Sequence, residues 1–378
     1  MNKKKKKTDL NQPSITESSR SDLPPIYHSE QQPLISVIIL NYKGGHWMRR
    51  CLESIRQQTL FSQIETLVAD NLSEDGSEQL CCKLLQNWPP GSARFIQNGG
   101  NFGYCKGNNL PAAQARGKWL LFLNNDTWFE PETLEKLLAD AEKYHVTAAV
   151  PRILDYDSDN FQSLGAEGFD LLGFPTCRKD FHRPTPVLMP EGCAYLVLRE
   201  TFKKLGGFDE NFFMYADELD LSWRIWLAGG TCMGFPGATL HHRGAAYVNS
   251  SGGEKIIELR TSDTKRFYAN RNNLLVLLKQ SGPVLWPIIL LQILWLTAEG
   301  IAGSLLLRRI SFFTNTVWAP IKDCWQKRSW LSAERQRLTP LRRHSDLWMI
   351  RHFLRLRLNR WDEFLRIRRL GLPKVSRH

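Results

Sequence analysis

Short apolar runs alternate with amphipathic stretches from residue 34 onward, and this alternation constrains the fold more than any other feature. The apolar runs are LISVIIL, QIETLVAD, ARFIQN and KWLLFLN, and stretches such as HWMRRCLESIRQQ and SEQLCCKLLQNW lie between them. Apolar runs of this length are typical of buried strands, whereas the stretches between them have helical periodicity. The order predicts βαβ units, and therefore an α/β domain with a mostly parallel central sheet covered by helices.

Polar residues follow the four predicted strands, at the sheet edge where α/β proteins bind their ligands. They are Asn41 with Tyr42, Asp70 with Asn71, Asn98, and Asn124 with Asn125 and Asp126. Asn and Asp are also ordinary turn residues, but four such positions in succession favour a nucleotide or sugar site. Neither a GxGxxG motif after the first strand nor a P-loop motif is present, which argues against the common dinucleotide and ATP sites. The glycine-rich segment NGGNFGYCKGNN follows the third strand and fits a flexible turn as well as a phosphate cradle.

Most of the net positive charge lies at the C-terminus. The chain has 50 Lys and Arg against 38 Asp and Glu, a formal net charge of +12. Residues 325–378 hold 15 of those basic residues and 4 acidic ones, which places +11 of the total there. A basic region of this kind favours an anionic partner, such as a membrane surface, a nucleic acid or a phosphorylated small molecule.

The cysteines and the N-terminal sequence are typical of a cytosolic protein. The eight cysteines form no CxxC pair and no zinc-finger spacing with His, so we expect reduced thiols. Residues 1–32 begin with a run of five lysines and continue through polar, Ser- and Pro-bearing sequence without an apolar segment. We therefore expect a disordered, basic N-terminal tail rather than a secretory signal.

Six segments agree with one known family in both order and spacing. They are SVIILNY, ADNLSEDGS, NFGYCKGNN, LLFLNNDTWFEP, GGFDENFFMYADELDLSWR and GATLHH. Together they resemble the family 2 glycosyltransferases of the GT-A fold. They are closest to the rhamnosyltransferase- and galactofuranosyltransferase-like branch, which builds bacterial cell-surface polysaccharides. The resemblance implies a nucleotide-sugar transferase domain with a Rossmann-like, mostly parallel sheet over residues 33–273.

The activity that the resemblance implies is the inverting transfer of a sugar from a nucleoside-diphosphate donor to a hydroxyl of a glycan or lipid-linked acceptor. Rhamnose is a candidate sugar, although these motifs do not determine the donor. A divalent metal, Mn or Mg, is the implied cofactor. Two alternatives are a non-catalytic nucleic-acid or anion-binding protein and a degenerate transferase fold kept as a scaffold. No RNA- or DNA-binding motif is recognisable, so we expect no nucleic-acid partner.

Carried over by position, the resemblance assigns residues to the donor pocket. Asp70 is expected to hydrogen-bond the nucleobase, while Asn71 and Asp75 shape that pocket. The other nucleotide-sugar-binding candidates are Asn41, Gly107, Asn108, Asn125 and Asp126. All of them stand near the ends of predicted strands or in the glycine-rich segment, so we expect them to share one edge of the sheet.

Asp126 is the implied acid of the metal-binding motif, which is often DxD in the family and reads NND here. A single carboxylate still suits Mg or Mn, because such a hard cation keeps waters and takes further oxygens from the diphosphate. The alternative for Asp126 is a structural Asx-turn ahead of Thr127. The resemblance places a metal-contacting histidine at the end of GATLHH; we assign it to His242, with His241 as the alternative.

The stretch FFMYADELDLSWRIW places carboxylates among aromatic and apolar residues, where burial makes ionised groups expensive. In the family the second acid of such a pair takes the proton of the acceptor hydroxyl. This makes Glu218 the candidate base and Asp217 its catalytic partner, although the family more often has Asp in the base position. The alternative for both is charge complementation at a helix start. Asp220 has a structural explanation, since Arg224 lies four residues further along the same predicted helix.

Residues 274–378 are predicted to form a helical, basic, membrane-associated region. The apolar segment of residues 283–307 exceeds the about 20 residues that a span needs, but Gln292 and Glu299 lie inside it. The alternatives are an interfacial or re-entrant helix pair, a span, and a buried helix. Residues 347–365 predict a basic amphipathic helix that binds anionic lipid or packs on the domain. We therefore expect a peripheral or integral protein at the cytoplasmic face of the inner (plasma) membrane.

Overall fold

The computed structural model describes residues 32–177, 180–244, 260–356, 358 and 374–376. The predicted N-terminal tail lies outside these residues except for Gln32. The described strands are β1 (Ile35–Asn41), β2 (Ile64–Asp70), β3 (Ala93–Gln97), β4 (Trp119–Asn124), β5 (Thr127–Phe129), β6 (Ala148–Asp155), β7 (Phe161–Ser163), β8 (Ala166–Phe169), β9 (Pro175–Cys177), β10 (Thr185–Pro186), β11 (Ala194–Leu198), β12 (Cys232–His242), β13 (Arg260–Ser262) and β14 (Lys374–Ser376).

The described helices lie between and after these strands. They are α1 (Gly45–Arg56), α2 (Ser77–Leu85), α3 (Gly103–Ala113), α4 (Thr133–Lys143), α5 (Arg199–Leu205), α6 (Asp217–Leu227), α7 (Asp263–Gln280), α8 (Trp286–Leu306), α9 (Ile310–Phe313), α10 (Ala319–Gln326), α11 (Arg328–Leu338) and α12 (Asp346–Phe353). The N-terminal half thus alternates strands with helices, as predicted, and the C-terminal part is helical.

The main sheet is mixed. Its order is β10-β12-β6-β11-β4-β1-β2-β3, with β5 paired to β12 and β7 paired to β6. The neighbours β3, β2, β1 and β4 are parallel, as the βαβ pattern predicts. β11 is antiparallel to both of its neighbours, β4 and β6, which corrects the expectation of a mostly parallel sheet at this position. The sequence did not show this because AYLVL, a run of apolar residues, has the same pattern in either direction.

The apolar runs of the sequence form the centre of the sheet. β1 and β2 are buried along nearly their whole length, and β4 is buried as far as Leu123. On α1, Met48, Cys51 and Ile55 are buried at helical spacing, which fixes the side that this helix packs. Because both partners are apolar on their packed sides, the polar ends of the strands are left at the edge of the core.

The domain boundary predicted at residue 273 falls inside α7, which is one continuous helix. Leu274 and Leu277 of α7 belong to the same apolar core as the strands, together with Leu331 of α11 and Met349 of α12. The helices beyond residue 273 therefore pack onto the α/β domain. The sequence marked these residues as apolar, but apolar character alone does not show what a residue packs against.

α8 combines a packed side with an exposed apolar side. Among the described residues, one helical stretch is long and apolar enough to cross a membrane. It consists of α8 and the turn before it, Pro283–Leu306, and has a mean hydropathy of 1.8. About a third of this apolar stretch, 33%, is buried in the protein, including Gln292 and Leu296. Glu299, one of the two polar residues noted in the sequence, pairs with Arg266 of α7 at 3.0 Å.

The amphipathic helix predicted for residues 347–365 ends early. α12 stops at Phe353, because the backbone N–H of Arg355 donates to the Phe169 carbonyl of β8 at 2.8 Å rather than to a helical carbonyl. Met349 and Phe353 are buried, so this helix packs on the domain. Of the remaining residues of the predicted helix, 354–356 and 358 are described, and the others lie outside the described residues.

Candidate functional site

The register of the parallel strands brings the polar strand ends to one edge of the sheet. Asn41 at the end of β1 pairs with Asp70 at the end of β2, and Asp70 pairs in turn with Gln97 of β3. On the other side of β1, Leu40 pairs with Asn124 at the end of β4. These ends form the carboxyl edge of the sheet, the usual ligand position in this architecture.

Asn41 is the buried centre of this edge. Its Nδ2 lies 2.7 Å from Oδ1 of Asp70, 2.8 Å from Oγ of Ser77 and 3.2 Å from Oγ of Ser73. Its Oδ1 accepts a hydrogen bond from Nδ2 of Asn125 at 2.9 Å. One amide therefore joins the loop after β2 to the NND turn after β4 and fixes both.

Asp70 is fully buried, and both oxygens of its carboxylate accept hydrogen bonds from other residues of the protein. Oδ2 accepts from the Ser73 N–H at 2.9 Å and from Gln97 at 3.1 Å, while Oδ1 accepts from Asn41 and the Ser73 hydroxyl. Burial raises the pKa of this carboxyl, but the hydrogen bonds from Ser73, Asn41 and Gln97 outweigh burial and hold the pKa below its ordinary value. In this geometry Asp70 organises the loop after β2, and its contact with a nucleobase stays a prediction.

The loop between β2 and α2 has an unusual backbone. Leu72, Glu74 and Gly76 have φ of 56°, 53° and 84°. Asp75 is exposed and accepts hydrogen bonds from the N–H and hydroxyl of Ser77 at 3.0 and 2.5 Å, at the start of α2. Left-handed conformations of non-glycine residues cost on the order of 1–3 kcal/mol each and cluster at binding sites. The surrounding hydrogen bonds therefore hold this loop in a shape that local preference opposes.

Gly107 and Asn71 are adjacent because α3 passes close to the sheet. A Cβ on Gly107 would lie 2.8 Å from Leu40 and 2.9 Å from the Asn71 amide, so a larger residue would displace the helix. Asn71 donates to the Gly103 carbonyl at 2.9 Å and accepts from Asn98 at 2.9 Å. The structure therefore brings Asn71, Asn98 and Gly107 together beside the strand ends.

Asn108 was predicted to bind the nucleotide sugar, but its side chain makes a hydrogen bond within its own helix. Its side chain is buried, and Nδ2 donates to the Tyr104 carbonyl one turn earlier in α3 at 3.0 Å. This hydrogen bond accounts for the amide within its own helix. A contact between Asn108 and the donor stays a prediction.

Asp126 and His242 lie side by side, with Oδ1 of Asp126 3.5 Å from Nε2 of His242. The other ring nitrogen of His242, Nδ1, lies 2.7 Å from Oε1 of Gln162. Burial lowers the pKa of His242, but Cys193 and Asp126 beside it outweigh burial and raise the pKa well above its ordinary value. The Asp126 carboxylate thus faces His242 rather than the backbone of its own turn.

The two histidines of β12 point to opposite sides, as successive strand residues do. His241 is buried and stacks on Trp128 with 3.7 Å between ring centres, and its Nδ1 lies 3.1 Å from the Asp155 carbonyl oxygen. His242 points toward Asp126 instead. The strand register therefore favours His242 over His241 as a metal contact.

The Asp126–His242 pair fits a cation that shares its coordination with a substrate. It offers one carboxylate and one imidazole nitrogen. Within the described ranges, no group of three or more His, Cys, Asp or Glu side chains could hold a metal ion by itself. Mg²⁺ in proteins is usually held by one or two carboxylates together with substrate phosphates and waters. The donor set therefore suits a divalent cation when a diphosphate supplies further oxygens.

Asp217 and Glu218, the acid pair, begin α6, and their side chains contact each other. Asp217 is buried and Glu218 is half-buried. Burial raises the pKa of Asp217 to about 7. Burial and the neighbouring charge of Asp217 raise the pKa of Glu218 well above its ordinary value. Two adjacent carboxyl groups whose pKa values are both raised by burial are suited to acid–base chemistry.

The segment before β11 joins the acid pair to the histidine. A Cβ placed on Gly192 would lie 3.5 Å from Cδ of Glu218. The next residue, Cys193, contacts His242. The acid pair and the Asp126–His242 pair therefore lie against adjacent residues of one short segment.

Two polar residues beside the acid pair were missed by the sequence patterns. Glu191 lies near Glu218 and contributes to its raised pKa, and its Oε1 accepts from the Ser163 hydroxyl at 2.6 Å. The hydroxyl of Tyr104 donates to the Gly192 carbonyl at 2.8 Å. The strand-end pattern selects residues that follow a strand, whereas Glu191 precedes one. Tyr104 belongs to the glycine-rich segment, where an aromatic residue is a signal that could have identified it.

The structural role predicted for Asp220 is confirmed. Arg224 donates from Nε and Nη2 to Oδ2 of Asp220 at 2.9 and 2.6 Å. Gln280 of α7 donates to Oδ1 at 2.7 Å, and Lys279 reaches the same oxygen at 2.8 Å. Burial raises the pKa of Asp220, but Arg224 and Lys279 outweigh burial and lower it. This acid therefore joins α6 to α7.

Residues 36–206 match the family model described as glycosyl transferase family 2. Among curated proteins, the N-acetylglucosaminyl-diphospho-decaprenol L-rhamnosyltransferase of Mycobacterium tuberculosis is 28% identical over 272 residues, covering 64% of this chain and 85% of that protein. A low-salt glycan biosynthesis hexosyltransferase of Haloferax volcanii is 28% identical over 202 residues, covering 50% of this chain and 61% of that protein.

A solved structure has the same fold. GalNAc-T7 with UDP, GalNAc and Mn²⁺ matches with a TM-score of 0.53 and 18% identity, over 66% of this chain and 48% of that chain. This chain thus spans about half the length of that structure, and the likeness concerns the fold alone. The family match extends over the strands that end in Asn41 and Asp70 and over the turn between β4 and β5 that contains Asp126. The chain therefore carries a glycosyltransferase domain that matches family 2 over residues 36–206, and it has the GT-A fold.

Proposed function

We propose that the protein transfers a sugar, with inversion at the anomeric carbon, from a nucleoside-diphosphate donor to a hydroxyl of a glycan or lipid-linked acceptor. The observation that carries this proposal is that Gly192 lies against Glu218 while Cys193 lies against His242. Inverting displacement needs a base on one side of the reacting carbon and a stabilised leaving group on the other. The acid pair and the Asp126–His242 pair supply these two groups across one short segment.

Glu218 is the proposed base. The acceptor oxygen bonds to the anomeric carbon, the bond from that carbon to the diphosphate breaks, and the hydroxyl proton goes to the Glu218 carboxylate. Asp217 lies beside it and helps to keep the pKa of Glu218 high, so that the proton is held once transferred. A positioned general base contributes about 10²–10⁴ in rate. Attack from the side opposite the leaving group inverts the configuration.

Asp126 and His242 are the residues that would hold a divalent cation, Mn or Mg. A cation bound there supplies Lewis-acid stabilisation of the departing diphosphate. Asn125 is fixed by its hydrogen bond to Asn41, which keeps the turn that carries Asp126 in one conformation. The loop organised by Asp70 is the proposed wall of the nucleobase pocket.

The relatives support a finer proposal for the substrates. Similarity to the L-rhamnosyltransferase of Mycobacterium tuberculosis supports rhamnose as the transferred sugar and a lipid-linked sugar diphosphate as the acceptor. We place the reaction in bacterial cell-surface polysaccharide synthesis. The raised pKa values of the acid pair suit an uncharged hydroxyl as the attacking group. A hydroxyl must lose its proton during attack, and a carboxylate with a raised pKa binds that proton more tightly than an ordinary one.

We also propose that the protein works at the cytoplasmic face of the inner membrane, bound through α8. The exposed side of α8 is apolar along the helix, through Trp286, Leu290, Leu291, Leu294, Trp295, Ile301, Leu305 and Leu306. Trp318, Lys322 and Trp325 are exposed at helical spacing on or next to α10. Soluble proteins rarely expose contiguous apolar patches above a few hundred Å², and Trp is enriched at membrane interfaces.

The packed side of α8 favours a helix that lies in the membrane interface over one that spans it. Glu299 pairs with Arg266 on that side, and Gln292 is buried there without a hydrogen-bond partner among the described residues. A spanning helix would have to carry the domain's charged helices into the hydrocarbon. The membrane partner is thus the lipid surface, reached by one face of the helix.

Nucleoside diphosphate release tests the proposed transfer. Purified protein is incubated with Mn²⁺ and a panel of nucleotide sugars, with and without a lipid-linked acceptor. We expect one or a few of the nucleotide sugars to release nucleoside diphosphate, and we expect this release to be faster when the acceptor is present. The Glu218→Gln variant should lose this release. Binding of a donor without release or transfer under any of these conditions would overturn the proposal and leave a binding protein.

A further inference from the structure

The loop immediately before the acid pair has a strained backbone. Within residues 211–216, Phe213, Tyr215 and Ala216 have φ of 65°, 68° and 57°. Such conformations are costly for residues with a side chain, and they persist only where the surroundings enforce them. Because Asp217 and Glu218 follow directly, the conformation of this loop determines where their carboxyl groups lie.

Asn272 of α7 holds this loop by its carbonyl groups. The side chain is fully buried, and its Nδ2 lies 2.9 Å from the carbonyl oxygen of Phe212, 2.7 Å from that of Met214 and 2.8 Å from that of Tyr215. Two N–H groups thus serve three carbonyls. These contacts link the start of the C-terminal helices directly to the loop of the acid pair.

Arg271 supports the same arrangement. Its Nε donates to Oδ1 of Asn272 at 2.8 Å, which keeps the NH₂ group of that amide turned toward the loop. Its Nη2 donates to the carbonyl oxygens of Asn211 at 2.8 Å and Phe212 at 2.9 Å. The orientation of the Asn272 amide is therefore fixed by a neighbour that also binds the loop.

The start of α3 holds the remaining carbonyl of this stretch. The carbonyl oxygen of Phe213 accepts from the N–H groups of Tyr104 and Cys105 at 2.6 and 3.2 Å. A Cβ on Gly103 would collide with the same oxygen, so glycine permits this approach. The carbonyls of residues 211–215 are thus all bound by donors from α3 or α7.

We propose that Asn272 is a positioning residue for the acid pair: its amide holds the strained loop so that Glu218 faces the acceptor hydroxyl. This inference rests on the proposed function, in which Glu218 is the base. Ala at this position would leave the Met214 and Tyr215 carbonyls without this donor, whereas the Phe212 carbonyl keeps Arg271; Asp would present an oxygen to all three. Either change lets the loop relax, whereas a catalytic group must stay within about 0.5 Å of its productive position.

Asn270 is a matched control on the same helix. It is also buried, and its Nδ2 donates to the Thr316 carbonyl at 2.7 Å, away from the acid pair. Asn270→Ala therefore removes an equivalent buried amide and leaves the loop before α6 unchanged. An effect that both variants show is therefore due to a general loss of stability. An effect that only Asn272→Ala shows is due to the lost contacts with the loop.

Hydrogen exchange of the full-length protein tests the contact without reference to activity. We expect the amides of residues 211–218 to exchange about tenfold faster or more in Asn272→Ala, because local opening becomes easier. Asn270→Ala should match the wild type in this segment. Unchanged exchange in Asn272→Ala would overturn the inference, whatever the catalytic activity of the protein.

Kinetics with saturating donor then test the consequence. We expect kcat to fall about 10²-fold in Asn272→Ala, since a misplacement of about 1 Å can cost that much. The Kd of the nucleoside diphosphate with Mn²⁺ should stay close to that of the wild type, and Asn270→Ala should keep its kcat. Equal losses of kcat in both variants would show general destabilisation and overturn the inference.

Two further variants keep the outcome clear. Should Asn272→Ala fail to fold, Asn272→Ser retains one donor and takes its place in both measurements. Full turnover in Glu218→Gln would refute the base assigned in the proposed function. Faster exchange with normal kcat in Asn272→Ala, beside an inactive Glu218→Gln, would refute only the positioning role.

Discussion

Nζ of Lys279 lies 2.8 Å from Oδ1 of Asp220, and neither side chain reaches solvent. The same Nζ lies 2.6 Å from Oδ2 of Asp209, and Nη2 of Arg224 lies 2.6 Å from Oδ2 of Asp220. Lys279 belongs to α7 and Asp220 to α6, so this buried charge cluster fastens the two helices together. The helix that begins with the acid pair is thus held to the C-terminal helices by charge as well as by packing.

Asp220→Asn should lower the free energy of unfolding by about 3 kcal/mol, because it leaves buried Arg224 without its ion-pair partner and removes one of the two close carboxylates of Lys279. Urea unfolding at neutral pH measures this loss. Glu132→Gln is the control, since it removes only an exposed ion pair with Lys136 and should leave stability unchanged. An Asp220→Asn variant as stable as the wild type would contradict the role of the cluster.

Asp126→Ala and His242→Ala should each weaken Mn²⁺-dependent binding of nucleoside diphosphate by about tenfold or more, because the cation would lose a protein ligand. Calorimetric titration with and without Mn²⁺ measures the effect. His241→Ala is the control on the same strand: it removes the stacking on Trp128, so stability should fall while the Mn²⁺ dependence is kept. Normal Mn²⁺ dependence in Asp126→Ala would place the cation elsewhere.

Glu218→Gln should lower kcat by about 10²-fold or more with donor affinity nearly constant, because the amide keeps the shape but cannot accept a proton. Asp217→Asn should show an intermediate loss, since Asp217 acts on the base rather than on the hydroxyl. Both variants are compared in one assay with saturating donor. An inactive Asp217→Asn beside an active Glu218→Gln would assign the base to Asp217.

The stability of the protein should depend on pH through Asp217. Its pKa is about 7 in the folded protein against an ordinary value of 3.8, so the folded state holds this proton more tightly than the unfolded chain. The resulting stabilisation is complete below the ordinary value and is lost as the pH rises through about 7. We therefore expect the stability of the wild type relative to Asp217→Asn to decrease between about pH 5 and pH 8. Urea unfolding at both pH values measures this decrease, and a constant difference would contradict a raised pKa of Asp217 in the folded protein.

The activity should change in the opposite direction over the same range. The base must be ionised to accept a proton, so kcat should rise with pH as the acid pair loses its proton. The apparent pKa of this rise belongs to the pair and not to one residue. A kcat that falls over this range would assign the acid pair a proton-donating role instead.

Leu290→Glu combined with Leu294→Glu should reduce sedimentation with vesicles of anionic lipid, because both side chains lie on the exposed side of α8. Tyr144→Glu changes another exposed apolar residue, at the end of α4, and should bind vesicles like the wild type. Normal sedimentation of the α8 variant would contradict the proposed membrane face. Deleting residues 283–378 is a poorer test, since Leu331 and Met349 belong to the shared core.

The sequence by itself determined the parallel part of the sheet and the identity of its polar edge. Local periodicity distinguishes strands from helices, and parallel strands joined by helices must end at the same edge. The positions of Asn41, Asp70 and Asn124 along the chain were therefore enough to place them together at that edge. The contact between Asp220 and Arg224 was also predictable, because residues four apart on a helix are neighbours.

Only the tertiary structure decided which of these residues have their polar atoms bound by other residues of the protein and how the remaining candidates are arranged. The Asp70 carboxylate accepts hydrogen bonds from Ser73, Asn41 and Gln97. The choice between His241 and His242 depended on the register of β12. The hydrogen bond from Asn272 to Phe212, in the loop before the acid pair, joins residues 60 positions apart in the chain. Hydropathy and spacing describe each segment alone, whereas burial, hydrogen-bond saturation and pKa depend on segments that meet only when the chain folds.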